Sequence, residues 1–275
     1  MVNKQVLENK FLKAEIIPEL GGRIDGLVNK KTDFNWVWKN KYLNNTSVKK
    51  GSNYDENWQG GWEELFPNDA VEKFSWGLGY DHGETWSHNW KISNKSNENI
   101  ELSAENLESG SIIKKTYILL KNKLRVEYLL NINFEEIFLF KLHLAIPISS
   151  ACKLNGNFYD LKKVSKDFGN ILNTDNEEKF FNPVKNSGYF DFAYVGNSAY
   201  NLQVEQENNL LSLNYDKTFL NYLWIFQTQG GWRNHNVIVL EPATNGKKLF
   251  KDAISANQYK KGPLALKTYY EVKIS

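Results

Sequence analysis

The sequence predicts an all-β protein whose strands form a large antiparallel β-sandwich. Two observations support this prediction: apolar residues recur at every second position, and turns rich in Asn, Lys and Gly interrupt the alternation at short intervals. The predicted strands are rich in Ile, Val, Tyr, Phe and Thr, and they run from Phe11 to Ile17, Ile100 to Ala104, Leu124 to Ile132, Ile137 to Ile148, Asn236 to Glu241 and Leu266 to Ile274. One short helix is expected, from Asp160 to Phe168.

The composition favours a folded protein with a sizeable core. The chain has 275 residues, of which 41% are hydrophobic and 14% are aromatic, and such a composition is typical of globular rather than disordered proteins. We find no internal repeat, flexible linker or low-complexity segment. A single domain over residues 1–275 is therefore the expected organisation.

The charges and the cysteine content restrict partners and location. Lys and Arg number 34 against 32 Asp and Glu, and the basic residues are scattered, so no nucleic-acid partner is expected. No stretch has the roughly 18–20 apolar residues of a transmembrane helix, and the N-terminus lacks an apolar run of signal-peptide length. The lone Cys152 cannot form an intrachain disulfide and suits a reducing compartment. We expect a soluble cytoplasmic protein, monomeric or homodimeric, without a membrane partner.

Two segments combine aromatic and polar residues in a way that strands and simple turns do not. The stretch from Gly60 to Asp69 is either a packed Ω-loop or a binding loop in which aromatic faces and groups such as the Asn68 amide contact a sugar. The stretch from Tyr80 to Trp90 contains His82 and His88, whose spacing of six residues does not match a zinc motif. We expect no metal site here, and a structural role for either histidine stays open.

The predicted strand from Ile137 to Ile148 allows an argument from side-chain parity. One face carries only apolar residues, which we expect to form the sandwich core: Phe138, Phe140, Leu142, Leu144 and Ile146. His143 lies on the opposite face, together with Lys141 and Ala145. This histidine is either an exposed strand residue or a titratable group that points into a pocket.

A carboxylate ends the predicted strand from Asn236 to Glu241. Glu241 follows four consecutive aliphatic residues, where a buried carboxylate without a partner is costly. Pro242 comes next and is expected to end the strand pairing, because it has no N–H to donate. Glu241 is therefore either a surface residue at a strand end or a functional carboxylate.

The order of these segments resembles the aldose 1-epimerase (galactose mutarotase-like) superfamily over roughly residues 10–255. The matching segments are the turn Ile17–Ile24, the loop Leu65-Phe66-Pro67, His82-Gly83 with Trp86 and Trp90, Leu142-His143, Phe190–Val195 and Val239–Thr244. The resemblance implies the β-sandwich fold of that superfamily, sometimes called a supersandwich. Two arginines that many members carry have no counterpart here, since Asn68, Asp69 and the residues 85–87 occupy those segments; this disfavours a hexose 6-phosphate as substrate.

The resemblance also implies an activity, the interconversion of α and β anomers of an aldose by acid–base ring opening. It assigns Glu241 as the base at the C1 hydroxyl, His143 as the acid at the ring oxygen and His82 as a second group at that oxygen. Asp191 would bind sugar hydroxyls and Trp86 would provide an aromatic wall. A small-molecule sugar is then the only partner required, and neither a metal nor another cofactor is expected, since the reaction consists of proton transfers.

Three other functions remain compatible with the sequence. A carbohydrate-binding module would keep the sandwich and its aromatic groove without chemistry. A sugar hydrolase or lyase would pair Glu241 with a second carboxylate such as Glu63, Glu64 or Glu84. A paralogue that has lost catalysis would act as a sugar sensor or bind a partner protein.

Overall fold

A computed structural model describes residues 2–158, 161–163, 174–195 and 200–275 of the chain. About half of the residues lie in antiparallel strands (51%) and few in helices (6%), which confirms the all-β prediction. Three helices occur in the described ranges: α1 (Tyr54–Asn57), α2 (Thr174–Phe181) and α3 (Phe250–Ser255). None of them is long and apolar enough to cross a membrane.

Two large sheets make up the described part of the fold. The first sheet contains, in spatial order, β1 (Gln5–Glu8), β2 (Leu12–Ile17), β3 (Arg23–Asn29), β5 (Trp62–Leu65), β13 (Lys141–Pro147), β20 (Asn236–Ala243), β19 (Tyr222–Gln229), β16 (Phe190–Val195) and β15 (Leu161–Lys163), with β4 (Phe34–Asn35) paired to β3. The second contains β14 (Cys152–Asn157), β17 (Tyr200–Gln206), β18 (Asn209–Tyr215), β22 (Leu264–Ile274), β11 (Lys123–Ile132), β10 (Ile112–Leu120), β9 (Asn99–Ala104) and β8 (Lys91–Lys95). Two short pairs complete it: β12 (Ile137–Phe138) with β21 (Lys260–Lys261), and β6 (Glu72–Phe74) with β7 (Gly77–Gly79).

The main hydrophobic core is built from the inward faces of both sheets. Strands β10 and β11 alternate between buried and more exposed positions along their whole length, because successive side chains of a strand point to opposite faces. The apolar face of β13 joins the same core, as the parity argument predicted. The opposite face of β13 is also covered, since Lys141, His143 and Ala145 are all buried. The alternative of an exposed His143 is therefore wrong.

Three local expectations are corrected by the structure. The predicted strand from Ile137 to Ile148 is divided into β12 (Ile137–Phe138), which pairs with β21, and β13 (Lys141–Pro147) of the first sheet. Within the predicted helix Asp160 to Phe168, the described residues Leu161–Lys163 form strand β15, and the rest of that segment lies outside the described residues. Pro242 does not end its strand, because β20 continues to Ala243 and Leu223 of β19 pairs with Pro242. The ladder from β20 to β13 is interrupted opposite Leu142 and His143, so the missing N–H of the proline falls where that ladder makes no pair.

Candidate active site

Strand register brings the sequence-predicted acid and base together. Pairs Lys141–Ala243 and Leu144–Leu240 of β13 and β20 share one offset, and the same offset places His143 opposite Glu241. On its other side His143 is the direct partner of Glu63 in β5. His143 Nε2 lies 4.0 Å from Glu241 Oε1, and both side chains are buried.

A cavity of about 330 Å³ opens over this part of the first sheet. Its aromatic lining consists of Tyr54, Trp58, Phe192, Phe226 and Trp232, and its charged or titratable lining includes Asp69, His82, Lys141, His143 and Glu241, with Asp81 and Lys248 also contributing. Apolar walls with a few convergent polar groups are typical of small-molecule sites. The volume suits a ligand of monosaccharide size.

A buried lysine, Lys141, joins two carboxylates in this cavity. Its Nζ lies 2.6 Å from Glu241 Oε2 and 2.6 Å from Asp69 Oδ1, and it sits 4.3 Å from the centre of the Trp224 ring. Burial opposes the charge of Lys141, but the two carboxylates outweigh it and raise the pKa of the lysine. The cation therefore stays charged and neutralises only one of its two partners.

The two carboxylates respond to this lysine in opposite directions. Burial tends to raise the pKa of Asp69, but Lys141, His82 and Lys248 together hold it well below its usual range. Burial raises the pKa of Glu241, and Lys141 offsets only part of that effect while Asp69 adds to it. Asp69 is thus the permanently charged partner, and Glu241 is the carboxylate able to exchange a proton.

The surroundings of His143 disfavour its charged form. Burial, followed by the charge of Lys141 and by His82, holds the pKa of His143 well below its usual value. Its Nδ1 lies 3.3 Å from the Tyr54 hydroxyl oxygen, and Trp58 packs edge-on against its ring. The imidazolium that an acid at the ring oxygen requires is therefore the disfavoured form of His143 near neutral pH.

His82 faces the same cavity from a turn that the backbone holds in an unusual conformation. Its φ is 60° and that of Gly83 is 77°, both in the left-handed region. A side chain at Gly83 would clash with the Phe66 carbonyl, so this glycine serves close backbone packing. The His82 ring stacks on Tyr54 at 4.0 Å, with Nδ1 2.8 Å from Asp81 Oδ1 and Nε2 3.5 Å from Asp69 Oδ1.

The three residues expected to bind sugar do not line this cavity. Asp191 occupies the face of β16 opposite to Phe192, because neighbouring strand residues alternate, and it accepts a hydrogen bond from the Tyr189 hydroxyl at 2.8 Å. Asn68 is fully buried and donates to the Ala70 and Tyr80 carbonyls. Trp86 packs edge-on against Tyr54, with ring centres 5.0 Å apart. A direct role of these three residues in sugar binding stays a prediction that the lining of the cavity does not support.

The carboxylates considered for a hydrolase also lie outside the cavity. Glu64 points into the sandwich core, where Lys115 Nζ lies 2.6 Å from it. Glu84 accepts hydrogen bonds from the Ser109 hydroxyl and the Glu108 backbone N–H. Glu63 lies behind His143 and accepts a hydrogen bond from Tyr54. None of the three faces Glu241 across the space where a glycosidic bond would lie.

Several cavity residues were not assigned a role from the sequence, among them Tyr54, Asp69 and Lys141. Lys141 carried a usable signal, because it lies two residues before His143 and therefore on the same strand face. Asp69 belongs to the segment from Gly60 to Asp69, for which a binding loop was one of two interpretations. Tyr54 starts a four-residue helix capped by the Asn53 side chain, and nothing in its sequence context indicates a site.

The fold and the cavity define an antiparallel β-sandwich protein with a buried acid–base cluster on one sheet. No protein-family model and no curated protein matches the sequence. Solved structures do match it over nearly the whole length. A candidate aldose 1-epimerase from Escherichia coli K12 superposes with a TM-score of 0.76 at 12% identity, covering 100% of this chain and 99% of the other.

Two further solved structures give the same result. A galactose mutarotase related enzyme from Lactobacillus acidophilus has a TM-score of 0.69 at 12% identity, with 99% of this chain and 97% of the other covered. A galactose mutarotase-like protein from Clostridium acetobutylicum has a TM-score of 0.69 at 14% identity, with 100% and 98% covered. The chain thus has the galactose mutarotase-like fold.

Proposed function

We propose that this protein is an aldose 1-epimerase-like isomerase that interconverts the α and β anomers of an aldose in the cavity over β13 and β20. The observation that carries the proposal is the 4.0 Å separation of His143 Nε2 and Glu241 Oε1. The hydroxyl oxygen and the ring oxygen of a cyclic sugar are both bonded to C1. A base and an acid that act on them must lie side by side, as these two groups do.

Ring opening transfers one proton from the C1 hydroxyl to the ring oxygen. The protein carries out this transfer in two parts: Glu241 accepts the proton of the C1 hydroxyl, and His143 donates a proton to the ring oxygen. The reactive form is a Glu241 carboxylate beside a His143 imidazolium. The raised pKa of Glu241 makes it the stronger base, and the lowered pKa of His143 makes its imidazolium the stronger acid.

The surrounding residues support this exchange. Lys141 points its ammonium group at Glu241 and favours the carboxylate form that accepts the proton. His82 has a carboxylate oxygen near each ring nitrogen, and we assign it the second contact to the ring oxygen. The aromatic lining offers flat apolar surfaces to the C–H faces of a sugar.

The charges of the cavity favour an uncharged aldose over a phosphorylated one. Lys141 is paired with two carboxylates, and Lys248 lies 3.9 Å from Asp69. A sugar phosphate would have to compete with these carboxylates for both cations. An uncharged sugar needs only hydrogen bonds from the same groups.

The test is proton NMR saturation transfer between the α and β anomers, measured over a panel of neutral, amino and phosphorylated aldoses. We expect faster exchange for at least one neutral aldose. The Glu241→Gln variant should retain sugar binding and lose about 10²–10⁴-fold in exchange rate. Glu84→Gln is the matched control, because it changes a buried carboxylate that lies outside the cavity.

Two results would contradict the proposal. Sugar binding without enhanced exchange for any member of the panel would indicate a carbohydrate-binding protein. Wild-type exchange in Glu241→Gln would show that another group is the base.

A further inference from the structure

A tyrosine and a glutamate form a buried pair directly behind His143. The Tyr54 hydroxyl donates a hydrogen bond to Glu63 Oε1 at 2.6 Å, and its oxygen lies 3.3 Å from His143 Nδ1. Tyr54 and Glu63 are 2% and 4% exposed. The geometry is fixed by the backbone, because Glu63 is the direct strand partner of His143.

The number of available protons determines how these groups are bonded. A tyrosine hydroxyl has one proton, and burial together with the charge of Glu63 raises the pKa of Tyr54 well above its usual value. When Glu63 is ionised, that proton is committed to its carboxylate, so the tyrosine oxygen can only accept from His143. The proton of the neutral imidazole therefore lies on Nδ1, and the lone pair of Nε2 faces Glu241.

We propose that Tyr54 and Glu63 are positioning residues that hold His143 in its Nδ1–H tautomer and stabilise its imidazolium form when Nε2 takes up a proton. On protonation Nδ1–H continues to donate to Tyr54, and Tyr54 continues to donate to Glu63, so no proton moves along the chain. The negative charge of Glu63 then compensates the positive charge of the ring. The catalytic part of this inference rests on the proposed function, whereas the tautomer does not.

The charges around the pair agree with this role. Burial raises the pKa of Glu63 to about 7, against the opposing effects of Arg23, Tyr54 and Lys115 and with a further increase from Glu64. His143 itself faces Lys141 and His82, which disfavour its charged form, and Asp69, which favours it; Glu241 lies 4.0 Å away. Glu63 adds a carboxylate on the Nδ1 side of the ring, linked to it through the Tyr54 hydroxyl.

The first experiment measures the tautomer without any sugar. Long-range ¹H–¹⁵N NMR of the four histidine rings, recorded at about pH 8 where Glu63 is mostly ionised, should show Nδ1 of His143 protonated and Nε2 unprotonated. Tyr54→Phe keeps the ring that stacks on His82 and removes only the hydroxyl. We expect this variant to shift His143 towards the Nε2–H tautomer.

The second experiment separates binding from turnover. In Glu63→Gln the amide oxygen can still accept from Tyr54, so the tautomer should persist while the imidazolium loses its counter-charge. If the pKa of His143 falls by one unit, the fraction of imidazolium falls about 10-fold. We then expect kcat to fall by about the same factor, with KM unchanged. Glu84→Gln should match the wild-type protein in both experiments.

An Nε2–H tautomer in the wild-type protein would overturn the inference even if the variants failed to fold. An unchanged tautomer in folded Tyr54→Phe, or an unchanged kcat in Glu63→Gln, would also overturn it. An absence of anomer exchange in the wild-type protein with the expected tautomer present would refute the proposed function and leave the positioning of His143 supported.

Discussion

Two buried lysines, one in each sheet, have similar surroundings, but their pKa values shift in opposite directions. Lys115 lies 3.9 Å from the centre of the Trp90 ring, pairs with Glu64 at 2.6 Å and donates to the Gly21 carbonyl. Lys141 lies over Trp224 in the same manner but pairs with two carboxylates. Burial lowers the pKa of Lys115, whereas the two carboxylates raise that of Lys141.

The difference lies in the number of carboxylates and in access to the cavity. The Lys115 group balances its charges inside the sandwich core, where it contributes to structure only. The Lys141 group has one carboxylate in excess and lies on the floor of the cavity. An excess carboxylate held beside a cation is what a base requires, so the extra partner distinguishes a site for chemistry from a buried ion pair.

Replacing Lys141 should have the largest effect on turnover. In Lys141→Met the carboxylates of Asp69 and Glu241 repel each other, and the pKa of Glu241 rises further. Each unit of increase removes about 10-fold of the ionised base, so we expect about a 10- to 100-fold slower anomer exchange near pH 7. Exchange should recover as the pH is raised. A loss that does not depend on pH would mean that Lys141 acts otherwise than through Glu241.

Replacing Lys115 should affect stability instead. Lys115→Met leaves Glu64 buried without its cation, which costs about 3–5 kcal/mol of unfolding free energy. Urea denaturation measures this loss, and anomer exchange per folded molecule should stay at the wild-type level. The double variant with Glu64→Gln should recover part of the stability. Slow exchange in correctly folded Lys115→Met would remove the distinction between the two lysines.

The raised pKa of Glu63 predicts a dependence of stability on pH. Its folded-state pKa of about 7 lies above the unfolded value, so the folded state holds the extra proton in between. Stability from this group is present at lower pH and is lost as the pH rises towards 7, by up to about 1 kcal/mol per pH unit. Urea denaturation at several pH values gives the free energy of unfolding of the wild-type protein and of Glu63→Gln. The difference between the two free energies should change with pH at this slope. A constant difference over that range would show that the pKa of Glu63 is ordinary.

The smallest effect is expected at Asp191. A direct hydrogen bond from a sugar hydroxyl to its carboxylate would contribute about 1.5–3 kcal/mol, and its loss would raise KM about 10- to 100-fold. Because Asp191 lies behind the cavity wall, Asp191→Asn should leave KM unchanged in steady-state exchange measurements. A large increase would restore the sequence-based assignment of Asp191 as a sugar ligand.

The sequence predicted the fold and the central strand well because both depend on a local, periodic signal. Alternation located β2, β9, β11, β13, β20 and β22 to within a few residues, and parity placed His143 away from the main core. The predicted end of β20 was wrong, because a strand can contain Pro242 when no neighbouring strand needs a backbone N–H at that position. That information lies in the pairing of β20 with β13 and β19, and not in β20 itself.

The cavity lining was harder to predict because it depends on contacts between distant segments. Tyr54 reaches His143 from 89 residues away in the chain, and Asp69 reaches Lys141 from 72 residues away. The motif resemblance gave the segment around Asp191 without the strand face, so it could not predict that Asp191 is absent from the cavity lining. Phe192, one residue further on, is the member of that segment that lines the cavity.

The left-handed backbone of His82 has a consequence for engineering. A residue other than glycine in this conformation is disfavoured by about 1–2 kcal/mol, so Gly or Asn at position 82 would make the turn easier to form. A mutant library screened only for survival at high temperature should therefore discard this histidine. A library screened for turnover of sugar should retain it, so comparing the two enriched pools at one codon would reveal whether His82 is kept for folding or for chemistry.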